Sequence, residues 1–297
     1  MTVLVTGATG TVGRQVVRHL LERGRKVRAL TRDPGRAGLP NGVEVTAGDL
    51  TGTAGLEAAF DGVTAVHLIN FGGGYRPLAN GRDIVGLAER AGVGRATVLG
   101  GWQEGTLEPA VRASGLEWTF LRPTQFMANF LNDWAEPLRT TGRVREPYGD
   151  RPSPPVDEYD IGAVAAAVLT QDGHGGRSYH LTGPEVLTAR RMVAIIAEAT
   201  GRDLRFEELT PDEVRREWSV PGRRPPLALF RAFAEIEGAD EADLVERLLR
   251  LYGTPNEYAT RLSDQVEQVV GRPPRTFAQW AAEHARHFLP TTPSDHS

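Results

Sequence analysis

"MTVLVTGATGTVGRQVVRHLLERG" (residues 1–24) decides the fold. Val3, Leu4 and Val5 form an uninterrupted apolar run, the signature of a strand buried on both faces. Gly7, Gly10 and Gly13 follow, and Val12, Val16, Val17, Leu20 and Leu21 then recur at helical spacing until Gly24 stops the helix. A buried strand, a glycine turn and an amphipathic helix let the backbone approach a pyrophosphate closely. They also set its charge at the positive end of the helix dipole. The stretch therefore reads as a dinucleotide-binding loop rather than as a bare turn.

Outward from this unit the pattern repeats. Apolar runs at 26–30, 43–50, 65–70, 96–101 and 116–123 alternate with helical segments around Leu56–Phe60 and Ile84–Ala91. This alternation predicts a doubly wound α/β Rossmann fold with a parallel sheet. An Ala-rich helix ("DIGAVAAAVLT", 160–170) and a strand ("SYHLTG", 178–183) should complete it. We therefore expect an NAD(P)-binding Rossmann domain over 1–150, its sheet completed by segments around 157–182. A smaller substrate lobe with a lid should occupy 183–290, with a disordered tail at 291–297. "TPDE" (210–213) and "TFAQ" (276–279) are capping boxes that start helices in that lobe.

Composition narrows the function. The net charge of -4 is unlike that of a general nucleic-acid binder. No stretch of about 18 apolar residues is present to span a membrane, and the N-terminus has no basic and apolar leader. With no cysteine, disulfides, thiolate metal sites and a Cys nucleophile are excluded. No histidine and acid spacing suits a metal site. The expectation is a cytoplasmic enzyme with a small-molecule partner and neither a nucleic-acid nor a membrane partner; the oligomeric state is not legible.

The second strand ends "ALTRDP" (29–34). An NAD site usually carries an acid there for the ribose 2′-hydroxyl. Here Thr31 and Arg32 take that place and Asp33 comes one step late. A guanidinium suits a 2′-phosphate through paired, charge-assisted hydrogen bonds, and Arg14 could add charge. The strand end favours NADPH, with NADH the alternative.

Together, "TGATGTVG", "RALTRDP", "GDL", "ERAGVGRATVLGG", "SGLEWTFLRPTQFMANF", "DIGAVAAAVL" and "YHLTGPEVLT" resemble, in order, the NmrA-like branch of the atypical short-chain dehydrogenase/reductases. The resemblance spans nearly the whole chain. It implies that Gly7, Thr9, Gly10, Thr11 and Val12 hold the pyrophosphate and that Arg32 faces the 2′-phosphate. Asp49 and Leu50 would flank the adenine. Ile69, Asn70 and Phe71 would line the cofactor, and Pro123 to Phe126 would border the nicotinamide.

The departures shape the chemistry. The superfamily commonly uses a Ser after the fifth strand and a Tyr-x-x-x-Lys pair, in which Tyr protonates the substrate oxygen. Here Gly100 and Gly101 end that strand, and Lys26 is the sole lysine, so the pair cannot exist. We expect NADPH-dependent reduction of a ketone on a bulky aromatic, polyketide-type molecule, an angucyclinone-type ketone for example. The proton would come from a substrate hydroxyl or from water. The alternatives are a quinone reductase and a non-catalytic NADP(H) redox sensor.

Trp102, Gln103 and Glu104 should face the site, with Gln103 and Tyr148 as candidate catalytic groups. Glu108 reads as an exposed helix charge, Asp160 as a helix N-cap and His67 as core. Trp102, Gln103, Met127, Phe130 and Phe230 are expected to line the substrate pocket. Trp118, Phe126, Met127, Phe130, Trp134, Leu227, Phe230 and Phe233 read either as core or as an aromatic lid. "NGRDIVG" (80–86) and "PGRRPP" (221–226) would be its hinges or rims.

Overall fold

The computed structural model describes residues 1–72, 76–101, 103–219, 227, 241–254 and 260–290. In chain order it begins β1 (Thr2–Val5), α1 (Thr11–Glu22), β2 (Lys26–Thr31), β3 (Glu44–Ala47), α2 (Glu57–Phe60) and β4 (Ala65–Ile69). Then come α3 (Gly81–Arg90), β5 (Arg95–Leu99), α4 (Leu107–Arg112), β6 (Glu117–Pro123), α5 (Asn129–Thr141), β7 (Arg143–Glu146) and β8 (Pro152–Ser153). The chain continues through α6 (Glu158–Thr170), β9 (Arg177–Leu181), β10 (Leu187–Thr188), α7 (Ala189–Thr200), β11 (Arg205–Glu208) and α8 (Pro211–Trp218). Further helices span Glu241–Gly253, Gln265–Val270 and Phe277–His284.

Two compact units emerge. The first holds residues 1–123, 158–181 and 263–273. Its seven-stranded sheet has the order β3-β2-β1-β4-β5-β6-β9, and every pairing is parallel. Strand order reverses between β1 and β4, so the crevice beyond their carboxyl ends is the ligand position of such a sheet. One face is covered by α3 and α4, whose Ile84, Leu87, Leu107 and Val111 pack with Leu4, Val66, Leu68, Val98 and Phe120. On α6, Ile161 to Leu169 are buried without a break, so this helix is apolar all round and lies inside the unit, against α1.

The second unit holds 124–157, 182–262 and 274–297. The segment 124–157, most of which the sequence reading gave to the Rossmann domain, groups here, because α5 shares its core with α7 and the helix Phe277–His284. Phe130, Trp134, Ile196, Phe277, Trp280 and Phe288 form that core. Phe130 lies 4.3 Å from Trp134, and meets Phe277 edge to face at 5.4 Å, a geometry aromatic pairs favour. Both expected capping boxes form, Thr210 with Glu213 and Thr276 with Gln279. A smaller cluster joins Val214, Trp218, Leu244 and Leu248.

Several expectations are corrected. The aromatic group read as one cluster is three. Trp118 stands on β6 beside Phe120 in the first unit, Met127, Phe130 and Trp134 belong to the main core of the second, and Leu227 belongs to its smaller cluster. The stretch 80–86 is no hinge: it opens the regular helix α3. Asp160 lies inside the first turn of α6 rather than before it, fully buried, and pairs with Arg272 at 2.7 Å. The segment 221–226, Phe233 and the tail 291–297 lie outside the described residues.

Candidate functional site

The glycine loop joins β1 to α1. Gly7 adopts φ +59°, a left-handed conformation that glycine takes without steric cost. Gly10 donates back to the Gly7 carbonyl at 2.9 Å and closes the turn. A Cβ on Gly13 would lie 2.1 Å from the Gly7 oxygen, so the helix and the loop touch backbone to backbone. No side chain caps α1, and its first-turn N–H groups lack helical acceptors. Thr9, Gly10, Thr11 and Val12 thus form a loop and helix start built to receive an anion.

Arg32 sits at the end of β2, exposed, with no ion pair or hydrogen bond among the described residues. Asp33 pairs with Arg36 at 3.6 Å. Arg14 stands exposed beside the loop and is already engaged by main-chain acceptors. It donates to the carbonyls of Thr9, Ala37 and Gly38 at 2.7–3.0 Å and ties the segment after β2 to the glycine loop. Asp49 accepts the Thr51 N–H at 2.9 Å and remains exposed. Leu50 is buried and packs in the core of the first unit.

Behind the loop, the Thr6 hydroxyl donates to the His67 carbonyl at 2.9 Å and accepts the Ile69 N–H at 3.1 Å. His67 is core, as expected: its Nδ1 meets the Thr97 hydroxyl at 2.8 Å, and burial pushes its pKa down to about 4. At the end of β4, Asn70 is 1% exposed. Its side-chain N–H2 donates to the Gln103 carbonyl at 3.1 Å and to the Glu108 carboxylate. Phe71 pairs with Pro77 through a short bridge.

Glu108 overturns its reading as an exposed charge. It is 2% exposed, because the first turn of α4 faces inward, and its other oxygen accepts the Gly105 N–H at 2.9 Å. Gln103 is exposed, and what it contributes to this cluster is its main-chain carbonyl. Glu104 pairs with Arg112 and Arg122 at 2.8 and 2.6 Å; their hydrogen bonds lower its pKa to about 2, leaving a paired surface charge. Trp102 lies outside the described residues.

Pro123 closes β6 in the first unit, and Thr124, Gln125 and Phe126 open the second. There Phe126 bridges to Val156. The second unit has its own pocket, lined by Phe130, Trp134, Glu146, Tyr148, Arg151 and Tyr252 among others. Phe130 is at once core and pocket wall. Met127 does not line this pocket; it is 1% exposed and sits in the core. Phe230 lies outside the described residues.

In this pocket the Trp134 indole N–H donates to Glu146 at 2.6 Å. Burial raises the Glu146 pKa to about 7, with Asp133 adding to the rise and Trp134 and Arg151 opposing it. Arg151 stacks on Tyr252, its guanidinium carbon 3.9 Å from the ring centre. Tyr148 is the one non-glycine residue with positive φ, +58°, among the described residues. Such strain concentrates at functional sites. Sequence reading missed Asp133 and Glu146. A signal existed for the latter: Val144 faces inward on β7, and period-two alternation puts Glu146 beside it.

Among the described residues no group of three or more metal-ligating side chains is gathered, and no helix is long and apolar enough to cross a membrane.

The chain is 38% identical to a (4-alkanoyl-5-oxo-2,5-dihydrofuran-3-yl)methyl phosphate reductase of Streptomyces griseus, over 97% of this chain and 99% of that protein. It is 32% identical to an NAD(P)H azoreductase of Xenophilus azovorans, over 96% and 99%. Its fold is shared by the triphenylmethane reductase of Citrobacter sp. solved with NADP(H), at TM-score 0.71 and 22% identity over 96% and 100% of the chains. The NmrA-like family model matches residues 1–97. With the glycine loop, the parallel sheet and relatives matched over nearly their full length, the chain belongs to the NmrA-like family.

Proposed function

We propose that this protein is an NADPH-dependent reductase of a small conjugated molecule. The observation that carries this reading is the glycine loop with its uncapped helix start and the unpaired Arg32 at the end of β2. Thr9 to Val12 would hold the pyrophosphate through main-chain N–H groups, and Arg32 would hold the 2′-phosphate. Asp49 and Leu50 would border the adenine, and Asn70, Phe71 and Pro123 the rest of the cofactor. When bound, the reduced nicotinamide supplies a hydride.

Lys26 is the only lysine, so no Tyr-x-x-x-Lys pair can deliver the matching proton. The proton comes instead from a hydroxyl of the substrate or from water, and the chain contributes position. Acceptors whose added charge spreads over a conjugated system suit such a site. A ketone on a polycyclic aromatic molecule with a neighbouring phenol is the substrate we favour. The reductase names of the two curated relatives support the broader class, and their unsaturated lactone and azo acceptors share its conjugation.

The test is NADPH oxidation against polycyclic aromatic ketones, quinones, a 4-alkanoyl butenolide, an azo dye and a no-substrate control, with products identified by mass. A ketone reduced to an alcohol supports the favoured substrate. Turnover of quinones alone makes it a quinone reductase. Tight NADPH binding without any turnover supports a redox sensor, the reading that the missing Ser, Tyr and Lys favour. Failure to bind NADPH overturns the proposal.

A further inference from the structure

We propose that Glu108 is a positioning residue for the cofactor: it locks the Asn70 amide so that Oδ1 presents a fixed acceptor to a hydrogen-bond donor on the nicotinamide half. The inference rests on the NADPH reading above and deepens it.

Asn70 follows β4, next to β1 at the reversal of strand order, and a Cβ on Gly7 would meet the Ile69 side chain at 2.9 Å. It therefore stands one residue from a side chain that abuts the glycine loop. Arg32 and Asp49 lie beyond β1, at the ends of β2 and β3. Asn70 lies across the reversal from them, where the second half of a dinucleotide extends.

The amide orientation follows from its partners. A carboxamide has two N–H bonds, and here they go to the Glu108 carboxylate and the Gln103 carbonyl. The backbone carbonyl can only accept, and so can the carboxylate when ionised, so the nitrogen and oxygen cannot be exchanged. The nitrogen has no hydrogen left for a ligand. Oδ1 is buried and has no partner among the described residues. Buried acceptors are rarely left so, and an unfilled one calls for a donor from outside the chain. Ribose hydroxyls and the carboxamide N–H2 of a nicotinamide are donors of this kind.

Two further contacts fit this role. Glu108 is itself held by the Gly105 N–H, so it is a stiff anchor. Gly101 packs beside Oδ1, and a Cβ there would crowd the acceptor, coming within 2.8 Å of Oδ1 and 3.2 Å of the Phe71 ring.

The test compares two probes: NADPH, and adenosine 2′,5′-bisphosphate, which carries no nicotinamide. Glu108→Ala removes the anchor and releases the Asn70 amide; Asn70→Ala removes the acceptor outright. Both variants should bind NADPH at least about tenfold more weakly, and the bisphosphate within about twofold of the wild-type value. Melting of the free protein identifies a variant that has failed to fold, in which case the other variant decides. NADPH binding within twofold of wild type in a folded variant overturns the proposal. Equal weakening of both probes also overturns it, because the donor is then not on the nicotinamide half. If the wild-type protein binds neither probe, the NADPH reading itself fails, and this inference with it.

Discussion

The two units bury polar groups in opposite ways. In the first, the candidate site is made mainly of main chain, a glycine turn and the uncapped start of α1, with one side-chain amide, Asn70, whose buried oxygen has no partner among the described residues. In the second, the pocket is made of side chains, and its carboxyl groups Asp133 and Glu146 are taken out of water beside Arg151 and two tyrosines. A main-chain site depends on atoms every residue carries, so its specificity lies in where side chains are absent. A side-chain pocket depends on which residues face inward, and its chemistry changes with their protonation.

The largest expected effect tests the main-chain side of this comparison. Gly13→Val drives a side chain into the Gly7 carbonyl, with no flexible atom to yield. NADPH binding should fall by at least about 100-fold, and overpacking should cost about 1–3 kcal/mol or more. Titration of the purified variant with NADPH checks the first, and denaturant unfolding the second. Unchanged binding would mean that the loop does not hold the pyrophosphate.

Next come two opposed pH effects, one from each unit. His67 has its pKa lowered to about 4 by burial, below its ordinary value of 6.5. Between those values the unfolded chain takes up a proton that the folded chain refuses. Its contribution is full above pH 6.5 and is lost as the pH falls toward 4, in total about 3 kcal/mol. Glu146 has its pKa raised from 4.5 to about 7. Here the folded chain keeps a proton that the unfolded chain has released. Stability is full below pH 4.5 and is lost as the pH rises to 7, by a similar amount of about 3 kcal/mol. Between pH 4.5 and 6.5 the two slopes oppose and largely cancel, so denaturant unfolding of the wild-type protein should change little there. The pair His67→Leu with Thr97→Val should unmask the loss of stability with rising pH that Glu146 causes. Glu146→Gln, neutral throughout and still able to accept from Trp134, should unmask the opposite rise that His67 causes. A profile untouched by Glu146→Gln would mean that its carboxyl is not held protonated.

Arg32→Asp should follow in size. Loss of a charge-assisted pair with the 2′-phosphate should weaken NADPH about 10- to 100-fold and NADH far less. Equal losses for both cofactors would remove Arg32 from the 2′-phosphate site. The smallest effect is expected at Tyr148. Its hydroxyl makes no hydrogen bond among the described residues, so Tyr148→Phe should change stability by less than about 0.5 kcal/mol. If the proton comes from substrate or water, turnover should change less than about threefold. A much larger fall would make Tyr148 the donor and shift the chemistry to the side-chain pocket.

The relative legibility of the two regions follows the same division. Gly7, Gly10 and Gly13 could be read because a strand, a turn and a helix are local patterns. The starts of α8 and the helix Phe277–His284 could be read because a cap needs only the residues beside it. The contacts of Arg14 were not legible because its three acceptors include Ala37 and Gly38, brought near only when the segment after β2 folds back. Glu108 was misjudged because its partner, Asn70, lies far away in sequence, just after β4. Met127 looked like a pocket residue until α5 was seen against α7 and Trp280.

By itself the sequence determined the parallel α/β unit, the glycine loop, the arginine in place of an acid after β2 and the impossibility of a Tyr-x-x-x-Lys pair. These rest on neighbours in the chain or on counting one residue type. The tertiary structure alone decided which carboxyls are buried, that the Asn70 amide oxygen is buried without a partner among the described residues, and which aromatic residues share a core. Each of these depends on contacts between segments distant in sequence, and burial, hydrogen-bond partner and protonation state have no value until those segments meet.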